Sequence, residues 1–287
     1  GRPAREPDRP GADRSVVSAG LHGFAPARLG AVKDAFAASF EAGEELGARF
    51  TLVERGEVVL DLWGGWADRR RTVAWDERTL APVFSTTKAV AALMIARLVE
   101  QGKLDYGQTV ASVWPEFGQA GKGAVPVEQA ISHQAGLRGF PEPMDAGLWV
   151  DWDAICTKLA AMPPMWPPGT ASGYHPVTVG YIAGEIFRRV DGRTIGTAFR
   201  QDIGEPFGLD LWVGLPADGE DRVAELQRPS ALPEFGEIND ATRAAFLAPW
   251  SSAAGKAGAD YRRMGVAPPN GYATAGGPAE PMGRPGH

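Results

Sequence analysis

The sequence predicts an α+β fold, in which a helical part accompanies an antiparallel sheet. Two β-rich runs, 49–54 and 58–63, flank the turn residues Arg55-Gly56-Glu57 and predict a hairpin. The stretches that follow carry apolar residues at helical spacing, without a regular alternation of strands and helices. A strand pair followed by helices favours α+β over an alternating βαβ arrangement.

The first predicted helix covers residues 28–46, because its apolar side chains recur at helical spacing. A second helix is predicted from Ser85 to Gln101, with Ser85 suited to the N-cap and Gly102 to the C′ position. Apolar residues nearly encircle this second helix, which indicates that it lies centrally in the fold.

Two further helices are predicted in the second half of the chain. A short one covers 127–134, and a longer one covers 176–190, beginning at Pro176 and ending at Asp191-Gly192. Neither a strand nor a long helix is predicted after residue 250, although residues 270–275 resemble a segment that leads into a helix.

Length and composition exclude several classes of protein. With 287 residues, 44% of them apolar, the chain can bury one large core or two modest ones. A net charge of −6 argues against nucleic-acid binding, and a single cysteine, Cys156, excludes an internal disulfide. The longest apolar run has eight residues, 89–96, whereas a membrane span needs about 20. A cytoplasmic location is expected, with a removed leader left open.

Glycine and proline make up 61 of 287 residues, against a usual share of about 12%, and they concentrate at the two ends. Residues 1–17 are expected to form a disordered tail and 276–287 an irregular one. The domain is expected over 18–275, with an α/β part at about 25–105 and a mainly helical part at about 106–250.

One short motif stands at the start of the central helix, Ser85-Thr86-Thr87-Lys88. Residues three apart share a helix face, so the Lys88 amine can reach the Ser85 hydroxyl. The positive end of the helix lowers the pKa of a buried ammonium, and the neutral amine can then take the hydroxyl proton. An N-cap serine beside an exposed lysine is the competing interpretation.

Tyr174 precedes the last predicted helix, after a turn rich in glycine and proline. Its phenol can exchange a proton with Ser85 and Lys88, although a packing role is the alternative. His133 and His175 are interpreted not as catalytic bases but either as residues that support the catalytic ones or as structural residues, with His133 holding its turn. Cys156 is interpreted as inert packing.

Several separated segments, in this order along the chain, resemble the serine β-lactamase and penicillin-binding-protein superfamily, in its class C and family VIII carboxylesterase branch. The resemblance extends over about residues 25–275. The segments that carry it are VFSTTK (83–88), LVEQGKLD (98–105), ISHQAGL (131–137), PPGTASGYHPVTVG (167–180) and EPFGLD (205–210).

This resemblance implies a β-lactamase/transpeptidase-like fold that acts without a cofactor on a small-molecule ester or amide. Ser85 resembles the acylated nucleophile, Lys88 its proton acceptor and Tyr174 the partner base or acid. The Ser85 backbone N–H resembles an oxyanion donor. Class C β-lactamases have Tyr-x-Asn where this chain has Pro176, which favours a carboxylesterase for short-chain esters over a β-lactamase or amidase.

The family's third motif, a Lys-Thr-Gly-like triplet on a strand, is expected to be missing. Lys256-Ala257-Gly258 lies only 82 residues beyond Tyr174, in a loop-like context, and is rejected as that motif. The C-terminal strands and final helix are therefore also expected to be missing, by truncation or a change of reading frame near residue 276.

Two alternatives to an active enzyme remain at this stage. One is a catalytically inactive relative that keeps Ser85, Lys88 and Tyr174. The other is a binding module whose tryptophans line an apolar pocket, among them Trp149, Trp152 and Trp166. The acyl and alcohol groups, the identity of the general base and the oligomeric state are left open.

Overall fold

The structure is a computed structural model that describes residues 20–142, 144–226, 238–247 and 271–275. Both predicted tails and the Lys256-Ala257-Gly258 triplet lie outside the described residues. Within the described part, helices and two antiparallel sheets form the α+β arrangement that the sequence predicts.

The first sheet contains the predicted hairpin. Strands β1 (His22–Phe24), β2 (Gly47–Glu54) and β3 (Glu57–Gly65) pair antiparallel in the order β1-β3-β2. Arg55 and Gly56 connect β2 to β3 with positive φ angles of 53° and 86°. Positive φ at both turn residues matches the right-handed twist of the two strands, which explains why this short turn closes the hairpin.

The second sheet corrects the prediction that no strand follows residue 250. Strands β4 (Ala81–Pro82), β5 (Leu211–Val213) and β6 (Gly271–Ala273) pair antiparallel in the order β4-β6-β5. The central strand β6 lies within the segment 270–275 that was expected to lead into a helix, and the residues after 275 lie outside the described part of the chain. Three residues are too few to show a strand periodicity in sequence, and β6 is defined by its pairing on both sides.

Most of the remaining elements are helices. The first, α1 (Gly30–Glu41), precedes β2. Its Phe40 ring lies close to Gly65 at the end of β3, since a Cβ added at Gly65 would lie only 2.8 Å from Phe40 Cε1. The others are α2 (Thr87–Glu100), α3 (Val110–Val113), α4 (Val127–Ile131), α5 (Trp152–Ala161), α6 (Thr178–Asp191), α7 (Ile195–Phe199) and α8 (Asp240–Thr242). Short 3₁₀ turns lie at 27–29, 84–86, 115–118, 146–150 and 217–222, and π turns at 200–204 and 243–247.

Helices α2 and α6 form the centre of the main core. Met94 and Ile95 of α2 and Ile182 of α6 are at most 1% exposed, which confirms the central position predicted for α2. Gly102 and Gly192, with φ of 67° and 89°, follow α2 and α6 as helix-ending glycines. No helix in the described part of the chain is both long enough and apolar enough to cross a membrane.

A fully buried lysine supports the end of α5. Lys122 Nζ donates hydrogen bonds to the carbonyls of Gln119, Ala160 and Met162, at 2.9, 2.9 and 2.6 Å. Ala160 and Met162 lie at the C-terminus of α5, where a cation and the unpaired carbonyls stabilise each other. Burial lowers the pKa of this amine below its ordinary value.

Candidate active site

The first element of the site is a strained turn that leads into α2. Phe84, which precedes Ser85, has a φ of 44°, a left-handed conformation that is costly for an aromatic residue. Two contacts hold it: the Thr87 hydroxyl donates to the Phe84 carbonyl at 2.6 Å, and the Val83 N–H donates to the carbonyl of Gly271 in β6 at 2.9 Å.

Ser85 does not cap α2, so the N-cap prediction for this residue is wrong. It lies in the 3₁₀ turn 84–86, and Thr86 occupies the N-cap position without a side-chain cap. The Ser85 hydroxyl instead accepts hydrogen bonds from Lys88 Nζ at 3.0 Å and from the Tyr174 hydroxyl at 2.6 Å. The structure thus brings together all three residues that the resemblance singled out.

Lys88 is held between the serine and the segment that carries Tyr174. Its amine donates to the Pro176 carbonyl at 2.8 Å and lies 4.8 Å from the centre of the Tyr174 ring. Burial lowers the pKa of Lys88, against an opposing contribution from Tyr174. A lowered pKa increases the fraction of neutral amine, the form that accepts a proton.

The segment with Tyr174 is attached to the turn after α4 through His133 and His175. The buried His175 ring accepts a hydrogen bond from the Leu137 N–H at 2.9 Å and bonds the Gly173 carbonyl through its other nitrogen. His133, with a φ of 68°, accepts the His175 backbone N–H on Nδ1 at 3.1 Å. Neither imidazole contacts Ser85 among the described hydrogen bonds, in agreement with the prediction that neither is a catalytic base.

A cavity of about 290 Å³ lies beside Lys88, between α2 and α6. Apart from Lys88 and His133 its walls are apolar or small: Ala89, Ala91, Ala92, Ile95, Ile131, Val179, Gly180 and Ala183. Sequence reasoning did not identify this cavity. In the sequence, the cavity corresponds only to small residues on α2 and α6. These residues line a cavity only because the two helices pack against each other, which the sequence does not show.

The tryptophans considered for an apolar pocket do not line this cavity. Trp149 is buried against Phe140, and the Trp152 indole N–H donates to Glu185 at 2.7 Å. Trp166 stands edge-on to the His175 ring, with centroids 6.1 Å apart. These tryptophans are therefore packing residues of the helical part and of the wall behind His175.

Cys156 and the acidic residues add no second centre to the site. The Cys156 thiol is buried, and burial raises its pKa, so it stays protonated and unreactive. Among the described residues, no group of three or more His, Cys, Asp or Glu side chains is arranged to hold a metal ion.

Sequence reasoning also missed the Pro176 carbonyl as a partner of Lys88. From the sequence, Pro176 is only a residue that replaces an asparagine side chain. Its carbonyl could not be singled out, because every residue has a main-chain oxygen. Its role follows from the path of the backbone between Tyr174 and α6.

Comparisons with known proteins agree with this arrangement. The Beta-lactamase family model matches residues 32–276. A crystal structure of a penicillin-binding protein homologue from Caulobacter crescentus has a TM-score of 0.84 and 62% identity, over 89% of this chain and 68% of that one. A family VIII carboxylesterase structure has a TM-score of 0.77 and 39% identity, with the same two coverages.

The esterase/beta-lactamase LipL of Mycobacterium tuberculosis is 36% identical over 227 residues. The match covers 78% of this chain and 51% of LipL, so the chain spans about half the length of this relative. The family match extends over most of the chain and includes the segments with Ser85, Lys88 and Tyr174. This chain belongs to the beta-lactamase family.

Proposed function

We propose that this site hydrolyses short-chain carboxylic esters through an acyl-serine intermediate on Ser85. One observation carries the proposal: the Ser85 hydroxyl lies within hydrogen-bond distance of both an amine with a lowered pKa and a phenol. A hydroxyl is a poor nucleophile until a neighbouring base removes its proton. Lys88 and Tyr174 both occupy the position for such a base.

In the acylation step the Ser85 proton passes to the Lys88–Tyr174 pair as Oγ attacks the ester carbonyl carbon. The carbonyl π electrons move to oxygen, which gives a tetrahedral oxyanion. The oxyanion collapses, the bond to the alcohol breaks, and the alkoxide receives a proton from the same pair. Water then attacks the acyl-serine by the same route and releases the carboxylic acid and the free hydroxyl.

The beginning of the helix supplies stabilisation of negative charge. Ser85 lies in the first turn, where backbone N–H groups have no intrahelical acceptor. We assign the Ser85 N–H as one donor to the oxyanion, aided by the positive end of α2.

Pro176 favours an ester over a β-lactam as the substrate. At this position the chain offers Lys88 a backbone carbonyl and has no side-chain amide to bind the carbonyl of a lactam side chain. Two relatives carry esterase names: one is a family VIII carboxylesterase, and LipL is described as an esterase/beta-lactamase. A β-lactamase or amidase activity is the second candidate, supported by that LipL description and by the penicillin-binding protein homologue.

We infer that the acyl group enters the cavity beside Lys88, which is lined by Lys88 and His133 but by neither Ser85 nor Tyr174. Its volume of about 290 Å³ lies at the lower end of the range for small-molecule sites, and its walls are mostly alanine, valine and isoleucine. We therefore expect acetyl to butyryl esters to be better substrates than long-chain ones.

A cytoplasmic location is kept as a prediction from the sequence.

The test is covalent labelling with a fluorophosphonate probe, followed by mass spectrometry of the labelled peptide. We expect label on Ser85 in the wild type and none in Ser85→Ala, together with turnover of p-nitrophenyl butyrate. Folded protein without label would support a catalytically inactive relative. Much faster turnover of nitrocefin than of the ester would favour the β-lactamase alternative.

A further inference from the structure

The distance from Tyr174 to Ser85 depends on a segment without regular secondary structure. Residues 173–176 carry the Tyr174 phenol and the Pro176 carbonyl, the two groups that meet Ser85 and Lys88. Tyr174 is 37% exposed, so burial of its own ring does not fix its position. The segment is held by bonds to residues 133–137 and by the Arg138 side chain, whose Nε donates to the Tyr174 carbonyl at 3.1 Å.

His175 makes two of these bonds through its ring. Nδ1 contacts the Gly173 carbonyl, which can only accept, so Nδ1 carries the proton. Nε2 faces the Leu137 N–H at 2.9 Å, which can only donate, so Nε2 carries a lone pair. Both partners therefore require a neutral imidazole with its proton on Nδ1.

His133 completes the connection with the opposite tautomer. Its Nδ1 accepts the His175 backbone N–H at 3.1 Å, which places the ring proton on Nε2. Its carbonyl accepts the Gly173 N–H at 3.0 Å, and its ring lies 5.0 Å from the Tyr174 ring. His133 thus contacts the segment on both sides of Tyr174.

We propose that His133 and His175 form a neutral two-histidine clamp that positions Tyr174 and the Pro176 carbonyl for proton transfer at Ser85. The inference rests on the proposed function. Both histidines are positioning residues, since they act through Tyr174 and Pro176. Of the two, His175 makes the ring contacts that connect the segment to the turn, because its ring bridges the Gly173 carbonyl and the Leu137 N–H.

The charges around the clamp favour the same neutral state. Besides burial, each ring has a nearby cation that lowers its pKa: Lys88 lowers that of His133, and Arg138 lowers that of His175. Burial is the larger cause for both rings. No carboxylate is among the causes that shift either ring, and the hydrogen bond to the Gly173 carbonyl, which raises the pKa of His175, is outweighed by burial.

Two substitutions of His175 separate its two hydrogen bonds. An asparagine amide reaches the position of Nδ1 and keeps the bond to Gly173, whereas a glutamine amide reaches the position of Nε2 and can accept from Leu137. We expect His175→Asn to lower kcat for p-nitrophenyl butyrate about 30-fold with KM within twofold, because small misplacements of reacting groups cost up to about 100-fold. His175→Gln is expected to recover most of that loss.

Thr178→Val is the matched control. Thr178 is buried and donates to the Leu137 carbonyl at 2.5 Å, but it makes no contact with residues 173–176 among the described hydrogen bonds. We expect this variant to lower the melting temperature while kcat stays within threefold of the wild type. A loss of kcat in Thr178→Val equal to that in His175→Asn would overturn the clamp in favour of a general packing effect.

A second measurement does not depend on activity. Imidazole nitrogen NMR of the wild-type chain should show the Nδ1–H tautomer for His175 and the Nε2–H tautomer for His133 at neutral pH. The reverse tautomer at His175, or wild-type kcat in His175→Asn, overturns the inference. If the wild type takes no fluorophosphonate label, the proposed function fails, and the clamp then stands or falls on the NMR result.

Discussion

Tyr174→Phe is the most direct perturbation of the candidate site, because it deletes one oxygen atom and keeps the ring. That oxygen donates to Ser85 Oγ at 2.6 Å, near the short end of the range for O–H···O bonds. A positioned proton donor or acceptor contributes about 10²–10⁴ to the rate of such a reaction. Lys88 still contacts Ser85 in the variant, so we expect the lower part of this range.

The expected result is a 10²- to 10³-fold loss of kcat/KM, equivalent to about 3–4 kcal/mol of transition-state stabilisation. Stability should change by less than about 1 kcal/mol, because Tyr174 is 37% exposed and its hydroxyl can be replaced by water. The assay is steady-state hydrolysis of p-nitrophenyl butyrate, with the rate of fluorophosphonate labelling and the melting temperature measured in parallel.

Tyr106→Phe provides a matched control, since Tyr106 is also 37% exposed and undergoes the same chemical change. It should behave like the wild type in all three measurements. Hydrolysis by Tyr174→Phe within threefold of the wild type, while Ser85→Ala is inactive, would refute the assignment of Tyr174 to proton transfer.

Three further outcomes follow from buried nitrogen atoms. Burial lowers the pKa of Lys88, so kcat/KM should rise with pH through that lowered value. Lys88→Met should lower kcat/KM at least 100-fold. A pH profile of kcat/KM that is flat in the wild type would contradict Lys88 as a proton acceptor. Burial lowers the pKa of His175 to about 4, against about 6.5 in the unfolded chain. The contribution of His175 to the free energy of unfolding should therefore be complete above pH 6.5 and fall by about 3 kcal/mol as the pH decreases towards 4. In urea titrations at several pH values, His175→Gln should lack this contribution. Lys122→Met leaves three carbonyls, two of them buried, without their donor and should cost about 3 kcal/mol by urea unfolding. Lys158→Met, on the exposed face of the same end of α5, should cost almost nothing.

Local interactions explain which parts of the fold could be predicted from the sequence. The hairpin follows from Arg55-Gly56, where neighbouring residues alone decide the turn. The ends of α2 and α6 follow from Gly102 and Gly192, because a left-handed residue there depends on the chain within one turn. β6 could not be predicted in this way, since its pairing partners lie far away along the chain.

The same division applies to the candidate site. Ser85 and Lys88 are three residues apart at the start of one helix, so their contact is a consequence of helix geometry that the sequence alone determines. Tyr174 lies 89 residues from Ser85, and its place before a predicted helix left a packing role as the alternative until the family resemblance singled it out. Its approach to 2.6 Å depends on the packing of α2 against α6 and on the turn at 133–137.

Tertiary structure alone decided the states of the buried polar groups. The sequence shows that the chain contains His175 and Lys122, but not their states. The tautomer of His175 depends on the carbonyl and the N–H group that the folded chain places beside its ring, and the burial of Lys122 depends on the carbonyls around its amine. These partners come from distant segments, and their directions are set by backbone paths that no local pattern encodes. The sequence by itself determined the helix that follows Ser85; the folded chain decided which groups surround that serine.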